Sequence, residues 1–422
     1  MEYKKINLNS YNIHFIKTDK FKTIDIRVMF IDKFKKEDIT KRNFLMDMLS
    51  FSTKEYDTHR KLSIKCQDLY SLNLNSSNFR LGNYLISKIG ITLLNPKYTE
   101  ESMLEESIDL LTETIFNPNV TNNRFETKSF NLVKKNLETE LLSVKEQPRL
   151  YAISQFLKEI DENKPYSYHG YCYQEDLEKI NESNLYEYYK EFLTKNLVDI
   201  YVVGDIDFSK VEKLIREKFK ISTLKKDKGN VIIKHDKIRK KSRKVIEKSD
   251  FKQAKLVIGL KLDDLSKFEF GYVSNIYNLI LGGISDSLLM KNVRVKESLA
   301  YYISSSLNKV DNLIIITSGI EGKNFDKTVK IIKKTLKDIQ NGKINDDDIK
   351  KCQTEYISSV DVASNLPNGL MDLAMSNHLK ISDSIDVRKK KIMEVTKEDV
   401  INFSKKVSLD TIYLLEGNNE NV

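Results

Sequence analysis

The stretch Leu279-Ile280-Leu281-Gly282-Gly283-Ile284-Ser285-Asp286-Ser287-Leu288-Leu289, followed by Val293-Arg294-Val295-Lys296-Glu297-Ser298-Leu299-Ala300-Tyr301, sets the plan of the second half of the chain. Residues 269–281 have the apolar spacing of a helix, which breaks at Gly282-Gly283;. The helical period resumes over 287–296 and then gives way to two strands, 299–307 and 313–318;. A strand at 254–260 precedes this block, and two amphipathic helices, 325–340 and 346–360, follow it;.

The first half has the same order. Two β-rich stretches, 12–17 and 23–30, lead into helical patterns at 39–51 and 60–72, and a strand group covers 74–93;. Two long amphipathic helices then occupy 100–115 and 122–145, separated by Asn117-Pro118-Asn119;. Further helices end on a strand at 198–203, closed by Gly204-Asp205 before a helix at 209–219. Strand, paired helices, strands and two long helices occur twice, so the sequence predicts an internal duplication. The expected fold is α+β, with two homologous lobes, each an antiparallel sheet covered by helices. The lobes are expected at 1–222 and 246–422, joined by a charged linker over 223–245.

At 422 residues, 40% of them hydrophobic, the chain can fill sizeable cores;. Its first residues lack the apolar core of a signal peptide, and no segment approaches 18 unbroken apolar residues, so a soluble cytoplasmic protein with no membrane partner is expected;. Cys66, Cys172 and Cys352 lie far apart and read as reduced, buried thiols;. The net charge of +9 raises nucleic-acid binding as a possibility, but most Lys and Arg are interleaved with Asp and Glu, as on a solvated face;. The densest basic run, 225–244, also holds Asp227 and Asp236 and has no aromatic residue for base stacking, so no nucleic-acid partner is expected;.

The segment Asn43-Phe44-Leu45-Met46-Asp47-Met48-Leu49, together with the Gly282-Gly283 to Tyr301 block, resembles the pitrilysin, insulinase and mitochondrial processing peptidase family of inverzincin metallopeptidases. The resemblance spans nearly the whole chain. It implies an H-x-x-E-H helix in which two His bind Zn²⁺ and the Glu acts as general base. Here those positions hold Asn43, Met46 and Asp47. Asn43 and Asp47 share a helix face, but an amide is a poor zinc ligand, a lone carboxylate binds weakly and a thioether takes no proton. The family's third ligand, a Glu on a later helix, aligns with Lys135, while Glu138 and Glu140 fit a different register. The five histidines, His14, His59, His169, His235 and His378, show no ligand spacing;. There is no G-x-S-x-G, P-loop or G-x-G-x-x-G motif. The resemblance therefore implies an inactive homologue with no metal, no cofactor and no catalytic residue.

The V-R-E-x-x-G-L-A-Y segment of the family is matched from Val293 to Tyr301, and the resemblance implies that Arg294 and Tyr301 contact substrate. Otherwise Arg294 makes a surface ion pair and Tyr301 packs in the core. Ser298 stands where the family has Gly, which puts the helix-to-strand turn in question;. Lys164-Pro165-Tyr166 with Gly170, and Val202-Val203-Gly204-Asp205-Ile206-Asp207, are less specific matches. In the family's two-chain members one subunit carries zinc and the other the Arg/Tyr pair. The resemblance thus implies a zinc-bearing homologous partner in a heterodimer and a peptide or protein substrate. A scaffold without any peptide role and a self-sufficient hydrolase with an unrecognised site are the other readings.

Overall fold

The computed structural model describes residues 1–221 and 229–417. They form two compact units. The first comprises Met1–Ser143, Gly170–Asn230 and Asn365–Asp372, and the second Val144–His169, Val231–Ser364 and Leu373–Val422.

The first unit contains β1 (Glu2–Asn7), β2 (Tyr11–Lys17), β3 (Thr23–Lys33), α1 (Lys36–Phe51), α2 (His59–Asp68), β4 (Asn73–Leu81) and β5 (Tyr84–Leu94). After α3 (Met103–Phe116), the short hairpin of β6 (Val120–Thr121) and β7 (Arg124–Phe125) leads into α4 (Thr127–Lys145). The next helix, α5 (Pro148–Ile160), belongs to the second unit. The chain returns through α6 (Gln174–Leu177), α7 (Glu182–Lys195), β8 (Leu197–Gly204) and α8 (Phe208–Lys218). The strands lie in the order β1-β2-β8-β3-β5-β4. Along β3, Ile24, Ile26, Val28 and Phe30 recur at the two-residue period that sends one set of side chains to a single face;. Phe44, Leu45 and Leu49 of α1 and Ile108 and Leu111 of α3 join them in one core. Burial of each such side chain contributes about 1.5–3 kcal/mol.

The second unit contains β9 (Arg243–Lys248), β10 (Ala254–Leu262), α9 (Ser274–Asn278), β11 (Ala300–Asn308), β12 (Leu313–Ile320), α10 (Phe325–Gln340), α11 (Asp346–Ser364), α13 (Ile385–Ile392), α14 (Lys397–Ser404) and β13 (Val407–Glu416). Helix α12 (Pro367–His378) runs across the boundary between units. π-helical turns at Glu269–Val273 and Leu279–Gly283 flank α9, and Met290–Val295 is also π-helical. The sheet order is β11-β12-β10-β13-β9.

Setting β1 aside, the two sheets have one topology. In each, the first strand in the chain pairs with the fifth, the fifth with the second, the second with the fourth and the fourth with the third. The expected duplication is therefore written into the strand order. Each sheet is antiparallel apart from one parallel pair, β2 with β8 and β9 with β13. A parallel pair needs a long crossover, and here most of a lobe separates the two strands.

The expected boundaries need correction. The crossover puts α5 on the second unit's sheet, where Ala152, Phe156 and Ile160 pack with Val257, Tyr413 and Leu415. Gly259 leaves room for it, since a Cβ there would lie 2.6 Å from Phe156 Cζ and 2.7 Å from Ile160 Cδ1. Asn365–Asp372, in turn, falls in the first unit. The linker expected at 223–245 is not free beyond the undescribed residues 222–228. Val231 and Ile233 are buried, Ile233 N–H donates to Val310 O at 2.7 Å, and Arg239 pairs with buried Asp410. Lys261 lies between Asp410 and Asp161, at 3.3 and 2.8 Å. Apolar residues within the basic run, together with this buried ion network, anchor it to the second unit before it becomes β9. No helix among the described residues is long and apolar enough to cross a membrane.

Candidate functional site

Helix α1 positions the three residues that replace the zinc motif. Asn43 has its amide engaged: Nδ2 donates to Ile39 O at 3.0 Å and Gly170 O at 2.9 Å, and Oδ1 accepts from Asn78 Nδ2 at 3.4 Å. Met46 is fully buried in the core, where its thioether contributes packing rather than chemistry;. Asp47 is half-buried, and no hydrogen bond or ion pair reaches its carboxyl among the described residues. Burial, and then repulsion from Glu140, push that carboxyl up to about 6;. Glu140 lies on α4, so the α4 charge that acts on Asp47 is Glu140 and not Lys135, which is exposed.

Cys172 belongs to the same neighbourhood. Burial, followed by the Asp47 and Glu140 charges, pushes its thiol up to about 12, so it is protonated at neutral pH;. Zinc does not fit this set. It needs deprotonated, inward-facing ligands, and it meets a committed amide, a buried thioether, a carboxyl that favours its proton and a neutral thiol. The same helix face is fastened to the edge strand β4: Ser50 Oγ lies 3.0 Å from Ser76 Oγ, and Asn78 Nδ2 donates to Arg42 O at 3.1 Å. What remains here is a hydrogen-bonded support for a sheet edge.

In the second unit, Arg294 lies in the last turn of the π-helical stretch and is exposed. Its side chain meets only Met290 Sδ, at 3.9 Å, and no carboxylate pairs with it among the described residues. Tyr301 is 58% exposed, so it does not pack in the core. It sits on the edge strand β11 at a break in register, where Ala300 faces Ile320 and Tyr302 faces Gly319, leaving Tyr301 as the extra residue of a bulge. Bulges re-aim side chains. The turn before it keeps the left-handed conformation that glycine favours, with Ser298 at φ 52°. The Ser298 N–H donates to Arg294 O and that of Leu299 to Val293 O, both at 3.1 Å, closing the helix end;. Neither the ion pair nor the core packing that would have occupied Arg294 and Tyr301 is present among the described residues.

The family resemblance pointed to Asn43, Met46, Asp47, Arg294 and Tyr301, because each set lies on one local segment. It missed Gly170 and Cys172 as neighbours of α1, which lie far along the chain, as Gly170 does at 127 residues from Asn43.

With the motif helix emptied of catalytic groups, the comparisons with known proteins agree. Residues 179–356 match the family described as the peptidase M16 inactive domain. The chain is similar to proteins described as inactive members of the M16 metallopeptidases. It is 29% identical over 411 residues to a Bacillus subtilis (strain 168) protein called "Probable inactive metalloprotease YmfF", covering 96% of this chain and 95% of that one. It is also 29% identical over 255 residues to "Non-peptidase homolog YmxG" of Helicobacter pylori (strain ATCC 700392 / 26695), covering 58% and 56% of the two chains. Among solved structures, a conserved protein from Enterococcus faecalis V583 superposes with a TM-score of 0.91 at 26% identity over the full length of both chains. A peptidase M16 inactive domain from Pseudomonas fluorescens shares the fold, with a TM-score of 0.80 over 99% of both chains at 15% identity. Both curated relatives carry names that deny them peptidase activity, in keeping with the vacated motif of α1.

Proposed function

We propose that this M16 homologue is the non-catalytic subunit of a two-chain zinc peptidase of the cytoplasm. It pairs with a zinc-bearing homologue and offers Arg294 and Tyr301 to an extended peptide. The observation that supports this reading most is that both side chains are exposed and uncommitted, seven residues apart beside a free sheet edge. A guanidinium is always charged and carries several donors, and a phenol adds one more. Together they can hold a peptide carbonyl and stabilise the oxyanion that develops when the partner's zinc-bound water attacks. No strand among the described residues pairs with the outer edge of β11, which supplies backbone donors and acceptors for an added strand;.

The test is co-expression with the zinc-bearing homologue from the same cell. Arg294→Ala is expected to leave the pair assembled and to lower kcat/KM for peptide hydrolysis by about 10²-fold. Unchanged hydrolysis in an intact pair would make the chain a scaffold. Stoichiometric zinc with EDTA-sensitive peptidase activity in the isolated chain would overturn the non-catalytic role altogether.

A further inference from the structure

A second polar feature lies next to Tyr301, on the face of the sheet that carries α5. Tyr302 on β11 pairs with Gly319 on β12, and Gly319 pairs with Lys255 on β10, so the three stand in one row across the strands. Residues opposite one another in a sheet project to the same face. Gly319 has to be bare, because a Cβ there would lie 2.6 Å from Tyr302 Cε1 and 3.1 Å from Gln253 Oε1. The Tyr302 ring thus lies across the glycine. Arg149, in the first turn of α5, places its Cζ 5.4 Å from the centroid of that ring, and Lys255 Nζ is 5.7 Å from the same centroid.

Two cations therefore share one phenol. Neither lies within ion-pair distance of a carboxylate among the described residues, and Lys255 has only an uncharged partner, Gln253 Oε1. Burial first, and then the Arg149 charge, hold the Lys255 amine below its usual range. Like charges held together without a counter-ion destabilise the fold unless a ligand neutralises them. The arrangement matches a carboxylate: a guanidinium for bidentate contact, an ammonium for charge and a phenol as a further donor.

We propose that Arg149, Lys255 and Tyr302 form a subsite for an acidic side chain of an extended peptide that lies along β11. The subsite rests on the peptide-contacting reading of Arg294 and Tyr301. An added strand at this edge sends alternate side chains to each sheet face, and one of them reaches the row that Tyr302 begins.

The experiment uses the full-length chain and fluorescence anisotropy with two labelled extended peptides, one with central Glu residues and one with Gln in their place. The Glu peptide is expected to bind roughly tenfold more tightly, an advantage that shrinks at high salt. A chain carrying Arg149→Gln and Lys255→Gln should lose that preference while binding the Gln peptide as the unaltered chain does. Tyr302→Phe keeps the ring over Gly319 and should lose only part of the preference. Equal affinity for the two peptides, with binding of both weakened by Arg294→Ala, would overturn the subsite and leave the Arg/Tyr role standing. If neither peptide binds the unaltered chain, both fall.

Discussion

Asp47 occupies a position where the fold pays for a charge it no longer uses. Its carboxyl titrates at about 6 in the folded chain, against 3.8 for the free side chain. The folded state therefore binds the proton more tightly, and stability falls as pH rises from about 4 to 6 and stays reduced above that. Asp47→Asn should thus stabilise the protein at pH 7.5 by about 1–2 kcal/mol and leave it unchanged near pH 4, as read from urea denaturation. An equal effect at both pH values would mean that the charge is not the cause. Ser298 is a second residue under local strain, with φ at 52°. Ser298→Gly should relieve about 0.5–1 kcal/mol and raise the Tm by about 1–3 °C. At this scale the sequence was most legible where chemistry is local. The motif positions 43, 46 and 47 lie within two helical turns, so the family resemblance could be laid on them residue by residue and implied that zinc had lost its ligands. The Glu140 and Cys172 environment of Asp47 was not legible, because only the folded chain brings those segments together.

At the scale of elements, period and punctuation predicted most strands and long helices of both halves, since each buries one face and so repeats at 2.0 or 3.6 residues, but not β1, β9 or the short β6–β7 hairpin at the start of the helix expected over 122–145. The failures came where tertiary packing decides. The run after residue 230 reads as a solvated linker from its charge, yet Val231, Ile233 and the ion network around Lys261 hold it in place. Helix α5 has an ordinary amphipathic pattern, and nothing in that pattern reveals which sheet it covers. Gly259 carries that information only once α5 is in place. Gly259→Ala should force Phe156 and Ile160, both fully buried, away from β10 at a cost of about 1–3 kcal/mol, measurable by thermal and urea denaturation;. No change in stability would mean that α5 sits more loosely on the strand than these distances imply.

For the whole molecule, the shared strand order of the two sheets makes each half a copy of one plan, yet the copies are not separable at the midpoint of the chain. A fragment covering residues 1–222 would contain α5 without the strands it packs on, and its complement would leave Val257, Tyr413 and Leu415 bare. Each fragment made alone should therefore be insoluble, while co-expression should recover a soluble complex; soluble, well-folded single fragments would contradict this view of α5. The same crossing matters on the ribosome. Helix α5 leaves the exit tunnel roughly 250 residues before β13 is made, a wait on the order of 10–50 s at ordinary elongation rates. Through that interval Ala152, Phe156 and Ile160 lack Tyr413 and Leu415 and have at most β10 and β12 to cover, so the nascent chain carries an incompletely covered apolar face;.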